Sequence, residues 1–209
     1  MKRFLRNNGL SLVLAGLFLI FWAAQAVSGW KVHNEEQNRH HAAELTFPHY
    51  LASGHFWQAT GENWESEFLQ MSAYVVLTSF LFQKGSAESK DPDEPESEKD
   101  KNPQPPGKKH GFLYRNSLSL GLLTLFACSF WLHAVGGLRE SNEELTEHGE
   151  PAQGLGEFLG SAEFWFQSSQ NWQSEFMAVL AIVVLSIFLR QDGSPESKDI
   201  NSPNSATGK

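Results

Sequence analysis

A shift of about 108 positions lays the second half of the chain over the first, and this repetition constrains the fold more than any other feature. Leu10-Ser11-Leu12 falls on Leu118-Ser119-Leu120, Asn34-Glu35-Glu36 on Asn142-Glu143-Glu144, and Phe56-Trp57 on Phe164-Trp165. Asn63-Trp64 falls on Asn171-Trp172, and Ser66-Glu67-Phe68 on Ser174-Glu175-Phe176. The polar tails agree as well, Glu88-Ser89-Lys90-Asp91 with Glu196-Ser197-Lys198-Asp199. Shared apolar character aligns apolar runs but not matched polar residues, so the halves read as two copies of one unit.

Each copy holds two apolar blocks, 10–30 and 68–82 in the first, 112–138 and 176–189 in the second. The mean hydropathy of −0.34 hides them, because the remaining sequence is strongly polar. The first and third blocks meet the requirement of about 20 apolar residues for a helix crossing a bilayer. The second and fourth are nearer to about 15 and reach that length only with the Trp64 and Trp172 turns included. Two crossings per copy bring both copies into the membrane from the same side, giving a parallel repeat with its pseudo-two-fold axis along the membrane normal. The expected fold class is therefore all-α and integral to the membrane, with four transmembrane helices from a parallel tandem duplication.

Of the 16 lysines and arginines, all but Lys31, Arg39 and Arg139 lie at the termini, between the second and third blocks or, for Arg115, at the very start of the third. The excess of basic residues on the cytoplasmic side puts both termini and the central linker inside, with two acidic loops outside. A competing reading takes 1–26 as a cleaved secretory signal ending at Ala24-Gln25-Ala26. The internal counterpart of the first block at 118–138 argues against it, and cleavage would leave three spans. The domain reading is a two-span unit at 1–83, a flexible cytoplasmic linker at 84–111, a second two-span unit at 112–190 and a disordered tail at 191–209. Gly85 and Gly193 are placed to stop the helices before them, and the recurring SxESKD reads as a polar helix exit.

The paired RN and LSL openings, the NEE after each first span and the NW(E/Q)SEF before each second resemble an uncharacterised family of bacterial membrane proteins, a domain of unknown function. The resemblance covers the chain except its linker. It implies a bacterial inner-membrane protein, and it carries no catalytic residues to transfer.

A net charge of −8 with no basic face disfavours nucleic acid as a partner. The single cysteine, Cys128, rules out an intrachain disulfide and a cysteine-rich zinc site. His33, His40, His41, His49 and His55 cluster before the second block, near Glu36 and Glu44. They lack an HExxH-type spacing and the second copy keeps only His148, so the reading is a solvated loop and no metal. His133 corresponds to Gln25 in the other copy, which leaves a haem without its paired ligands. No cofactor is expected.

The candidate functional or interfacial residues are Trp57, Trp64, Trp165 and Trp172, read as aromatic collars at the headgroup level with a ligand-stacking platform as the second reading. With them stand Glu67 and Glu175, equivalent carboxylates at the start of an apolar run, where a helix N-terminus stabilises them. Gln70, Tyr74 and Thr78 extend a polar stripe below Glu67, but Ala178, Ile182 and Ser186 do not match it. The leading function is a non-enzymatic structural or interaction protein of the bacterial envelope, contacting lipid, another copy of itself or a membrane-protein partner. The alternative is a small cation or proton conduit using Glu67 and Glu175, and a membrane enzyme stands third.

Overall fold

The computed structural model describes residues 2–39, 43–93 and 111–208. His40, His41 and most of the linker lie outside them. The described residues form helices α1 (Lys2–Arg39), α2 (Phe47–Tyr50), α3 (Gly54–Leu77), α4 (Phe112–Arg115), α5 (Ser117–Glu147), α6 (Leu155–Leu159) and α7 (Ala162–Phe188). Among the described residues, three helices are long and apolar enough to cross a membrane: α1 from Arg3, α5 and α7. Only 6% of the most apolar window of α1 or α7 is buried, and large side chains such as Leu10, Phe21 and Phe166 stand exposed. Faces of this kind are stable when lipid covers them. The second apolar block departs from its expected extent, because α3 stops at Leu77 and the chain leaves it in turns. Its helical apolar part is therefore 68–77, preceded by polar turns that carry Glu62, Glu65 and Glu67.

The chain divides into two compact units, with boundaries inside α3 and α5. The first holds residues 1–61 and 132–159. Tyr50 and Phe56 are buried in it with Ala26, and Trp22, Trp30 and Trp57 pack around them. Close backbone approach joins the start of α3 to the middle of α5: a Cβ on Gly61 would lie 2.4 Å from the His133 backbone nitrogen, and one on Gly136 would lie 2.4 Å from that of Gln58. Such small-residue crossings let helices pack backbone to backbone where apolar burial offers no drive between them.

The Asn of each NEE motif fixes the loop that follows it. Asn34 accepts from the Leu45 N–H at 2.9 Å and donates to the Leu45 carbonyl at 2.9 Å. Asn142 makes the same pair with Gln153, at 2.8 and 3.1 Å. The clamp satisfies one backbone donor and one acceptor that a turn leaves open. Gly29 and Gly137 serve the same loops differently, by making room for a ring. A Cβ on Gly29 would sit 2.3 Å from the Tyr50 hydroxyl oxygen, and one on Gly137 would sit 2.6 Å from Phe158 Cζ.

The second unit holds residues 62–131 and 160–209. Ser161 caps α7 by accepting from the Phe164 N–H at 3.2 Å, as Ser53 does for Phe56 at 3.3 Å near the start of α3; such a cap contributes about 1 kcal/mol. Where composition predicts a disordered tail, 191–208 forms turns. Lys198 is 3% exposed, and its ammonium donates to the carbonyls of Gly85 at 2.5 Å and Ala206 at 2.9 Å. Those carbonyls satisfy an ammonium that composition alone places in solvent. Gly85 and Gly193 act in these turns rather than as helix stops. Each is the third residue of a turn closed by Ser86 N–H to Gln83 O or Ser194 N–H to Gln191 O, with φ of +87° and +73°, a conformation that glycine adopts without strain.

Candidate metal centre

Helix α1 carries His33 because it runs on to Arg39, well past the last apolar residue of its block. Helix α5 does the same beyond Leu138. Its 31 residues span about 46 Å, so the helix is long enough to run past a hydrocarbon core of about 30 Å. In these extensions His33 Nδ1 lies 3.9 Å from Glu140 Oε1, with the side chains 6% and 16% exposed. His55, one residue into α3, completes the group: one ligand atom each from His33, His55 and Glu140 lie within 4.8 Å of one another. The His33 and His55 rings are 5.1 Å apart.

Tyr50, delivered by α2, holds the far side of the group. Its hydroxyl lies 3.0 Å from His55 Nδ1, and its ring centroid is 5.7 Å from that of His33. Burial, and then the Glu140 charge, push the phenol up to about 12, so it stays protonated at neutral pH. Burial and then the neighbouring His33 lower the His55 pKa against a smaller opposing pull from Glu36, which favours a neutral ring. Burial, followed by the charges of Glu143 and Glu144, pushes the Glu140 carboxyl up to about 7. The backbone N–H of His55 pulls it the other way. Glu140 Oε2 is buried without a hydrogen-bond partner among the described residues. Beside the group opens a cavity of about 250 Å³ lined by His33, Glu36, Glu140, Glu143, Glu144 and Glu147.

The expected solvated histidine loop differs from this arrangement at two positions. His33 and His55 are helical and brought to one carboxylate, whereas His49 bonds locally to Thr46 and His40 and His41 lie outside the described residues. The clue in the sequence was a departure from the repeat: His33, Tyr50 and His55 stand where the other half has Ser141, Phe158 and Glu163.

The tryptophans divide. Trp57 packs on the buried cluster of Tyr50 and Phe56, Trp64 is half-buried, and Trp165 is 46% exposed. Trp172 donates its indole N–H to Glu65 Oε1 at 2.9 Å. Beside it, Asn171 donates to Glu62 Oε1 at 2.7 Å. Glu65 is fully buried and escaped the sequence reading because its counterpart is Gln173, so the repeat did not single it out. Glu67 is exposed and Glu175 half-buried, within electrostatic reach of each other.

A family model, Domain of unknown function (DUF6766), matches residues 1–209. The chain belongs to this DUF6766 family. Neither curated proteins nor solved structures give a match. Membership in DUF6766, with three apolar helices able to span a bilayer, supports a membrane protein and assigns it no activity.

Proposed function

We propose that the chain is a four-span protein of the bacterial inner membrane, built by parallel tandem duplication, that works through contacts with lipid and with another copy of itself or a membrane-protein partner rather than by catalysis. The observation that carries this reading is the uncovered apolar surface of α1, α5 and α7, which lipid and partner helices would cover. The duplication is supported by recurrent local geometry: the paired asparagine clamps, the paired serine caps and the helix breaks at Asn8 and Asn116, with φ of −122° and −116°. By that equivalence α3 crosses the membrane as α7 does, with the basic linker and termini in the cytoplasm. Native mass spectrometry from mild detergent and from lipid nanodiscs tests the interaction reading. A dimer or a defined complex is expected, and monomer alone under every condition would contradict it.

The proximity of Glu67 and Glu175 favours one second reading, a cation or proton conduit. Reconstituted vesicles would then leak a cation, and the double variant Glu67→Gln, Glu175→Gln would stop the leak. A leak unchanged by that pair removes this reading.

A further inference from the structure

We propose that His33, His55 and Glu140 bind a single divalent transition-metal ion of the zinc class on the loop side of α1 and α5. Two imidazoles and one carboxylate suit Zn²⁺, Co²⁺, Ni²⁺ or Fe²⁺ and are poor hosts for Mg²⁺ and Ca²⁺, which take oxygen-rich shells. Tetrahedral ligands about 2.0 Å from zinc lie about 3.3 Å from one another. The 3.9 Å between His33 Nδ1 and Glu140 Oε1 closes to that value by a side-chain movement of well under an ångström. Three protein ligands leave one position for water or another ligand, reached through the acidic cavity.

Three further observations point to a cation. Glu140 Oε2 is a buried carboxylate oxygen with no hydrogen-bond partner among the described residues, and such a group is costly unless something positive meets it. Tyr50 supplies the outer partner that a metal-bound histidine needs: with Nδ1–H of His55 donating to its oxygen, Nε2 is left with a free lone pair. The backbone N–H of His55 holds Glu140 in turn.

The repeat provides an internal control. Phe158 fills the place equivalent to Tyr50 and is fully buried against Gly137 with no hydroxyl. Ser141 stands where His33 does, and Val32 where Glu140 does. The loop thus packs without the polar set, so packing does not account for His33, Tyr50, His55 and Glu140. The site is independent of the interaction reading above, since a monomer would carry it equally.

The test is titration of the full-length chain, purified in mild detergent without a histidine tag and stripped with chelator, using Zn²⁺ and Co²⁺ alone. One saturable equivalent per chain is expected, with a Co²⁺ visible absorption that Zn²⁺ displaces. His33→Ala, His55→Ala and Glu140→Gln should each weaken binding more than 10-fold. Tyr50→Phe, which installs the residue of the other half, should keep the stoichiometry and weaken affinity about 10-fold. The double variant His40→Ala, His41→Ala should bind as the unaltered chain does. Because a ligand variant can fail to fold, protection of His33 and His55 from diethyl pyrocarbonate by Zn²⁺ is read by mass spectrometry on the unaltered chain. Absence of a saturable site, loss of it in the His40 and His41 variant, or no protection of His33 and His55 would overturn the proposal.

Discussion

Tyr50 and Phe158 hold equivalent positions in the sequence repeat, and each ring ends against a glycine of the long helix before it, Gly29 or Gly137. Both are buried, at 1% and 0% exposure. Phe158 ends against Gly137, whereas Tyr50 meets two histidines and, through them, Glu140. The shared feature is the one packing requires, a flat ring over a missing side chain. The difference is chemical, and it marks one loop as holding more than the fold needs.

The largest expected effect comes where the halves cannot be exchanged. Gly136 is in backbone contact with Gln58, but its counterpart Ser28 is exposed. Gly136→Ser should therefore destabilise the protein by about 3 kcal/mol, the upper range for overpacking, while Ser28→Ala should stay within about 0.5 kcal/mol. Unfolding curves in mixed micelles measure both, and a tolerated Gly136→Ser would remove the close crossing. Next come the clamps. Asn34→Ala and Asn142→Ala each lose two hydrogen bonds and should each cost about 1–3 kcal/mol. Similar losses sharpen the equivalence of the loops, and a loss confined to one of them would break it. The ring exchange contains the smallest single effect, that of Tyr50→Phe. Phe158→Tyr places a hydroxyl against Gly137 and should cost about 1–3 kcal/mol unless it finds a partner, whereas Tyr50→Phe should cost about 1 kcal/mol or less. Equal costs in the same assay would mean that the two ring sites are alike after all.

Much of the frame was legible in the sequence. Matched apolar blocks gave the long helices, and matched Asn and Ser residues recur in matching hydrogen bonds, because clamps and caps act within a dozen residues of their own position. The site was less legible. His33 and Glu140 are more than a hundred residues apart and meet only through packing of α1, α3 and α5 extensions, which periodicity does not report. His33 looked like part of a loop because the first apolar block ends before it, although α1 does not. In the tail, backbone carbonyls of Gly85 and Ala206 surround the Lys198 ammonium, a contact that composition does not report.

The central claim, two equivalent units entering the membrane from the same side, turns on whether α3 crosses. Single cysteines introduced as Glu36→Cys, Glu88→Cys, Glu144→Cys and Ser205→Cys in a Cys128→Ser background, probed with an impermeant thiol reagent on intact cells, decide it. The account predicts outside labelling at positions 36 and 144, and labelling at 88 and 205 only after permeabilisation. Labelling at 88 from outside, with 144 protected, would mean that α3 does not cross and would contradict the account.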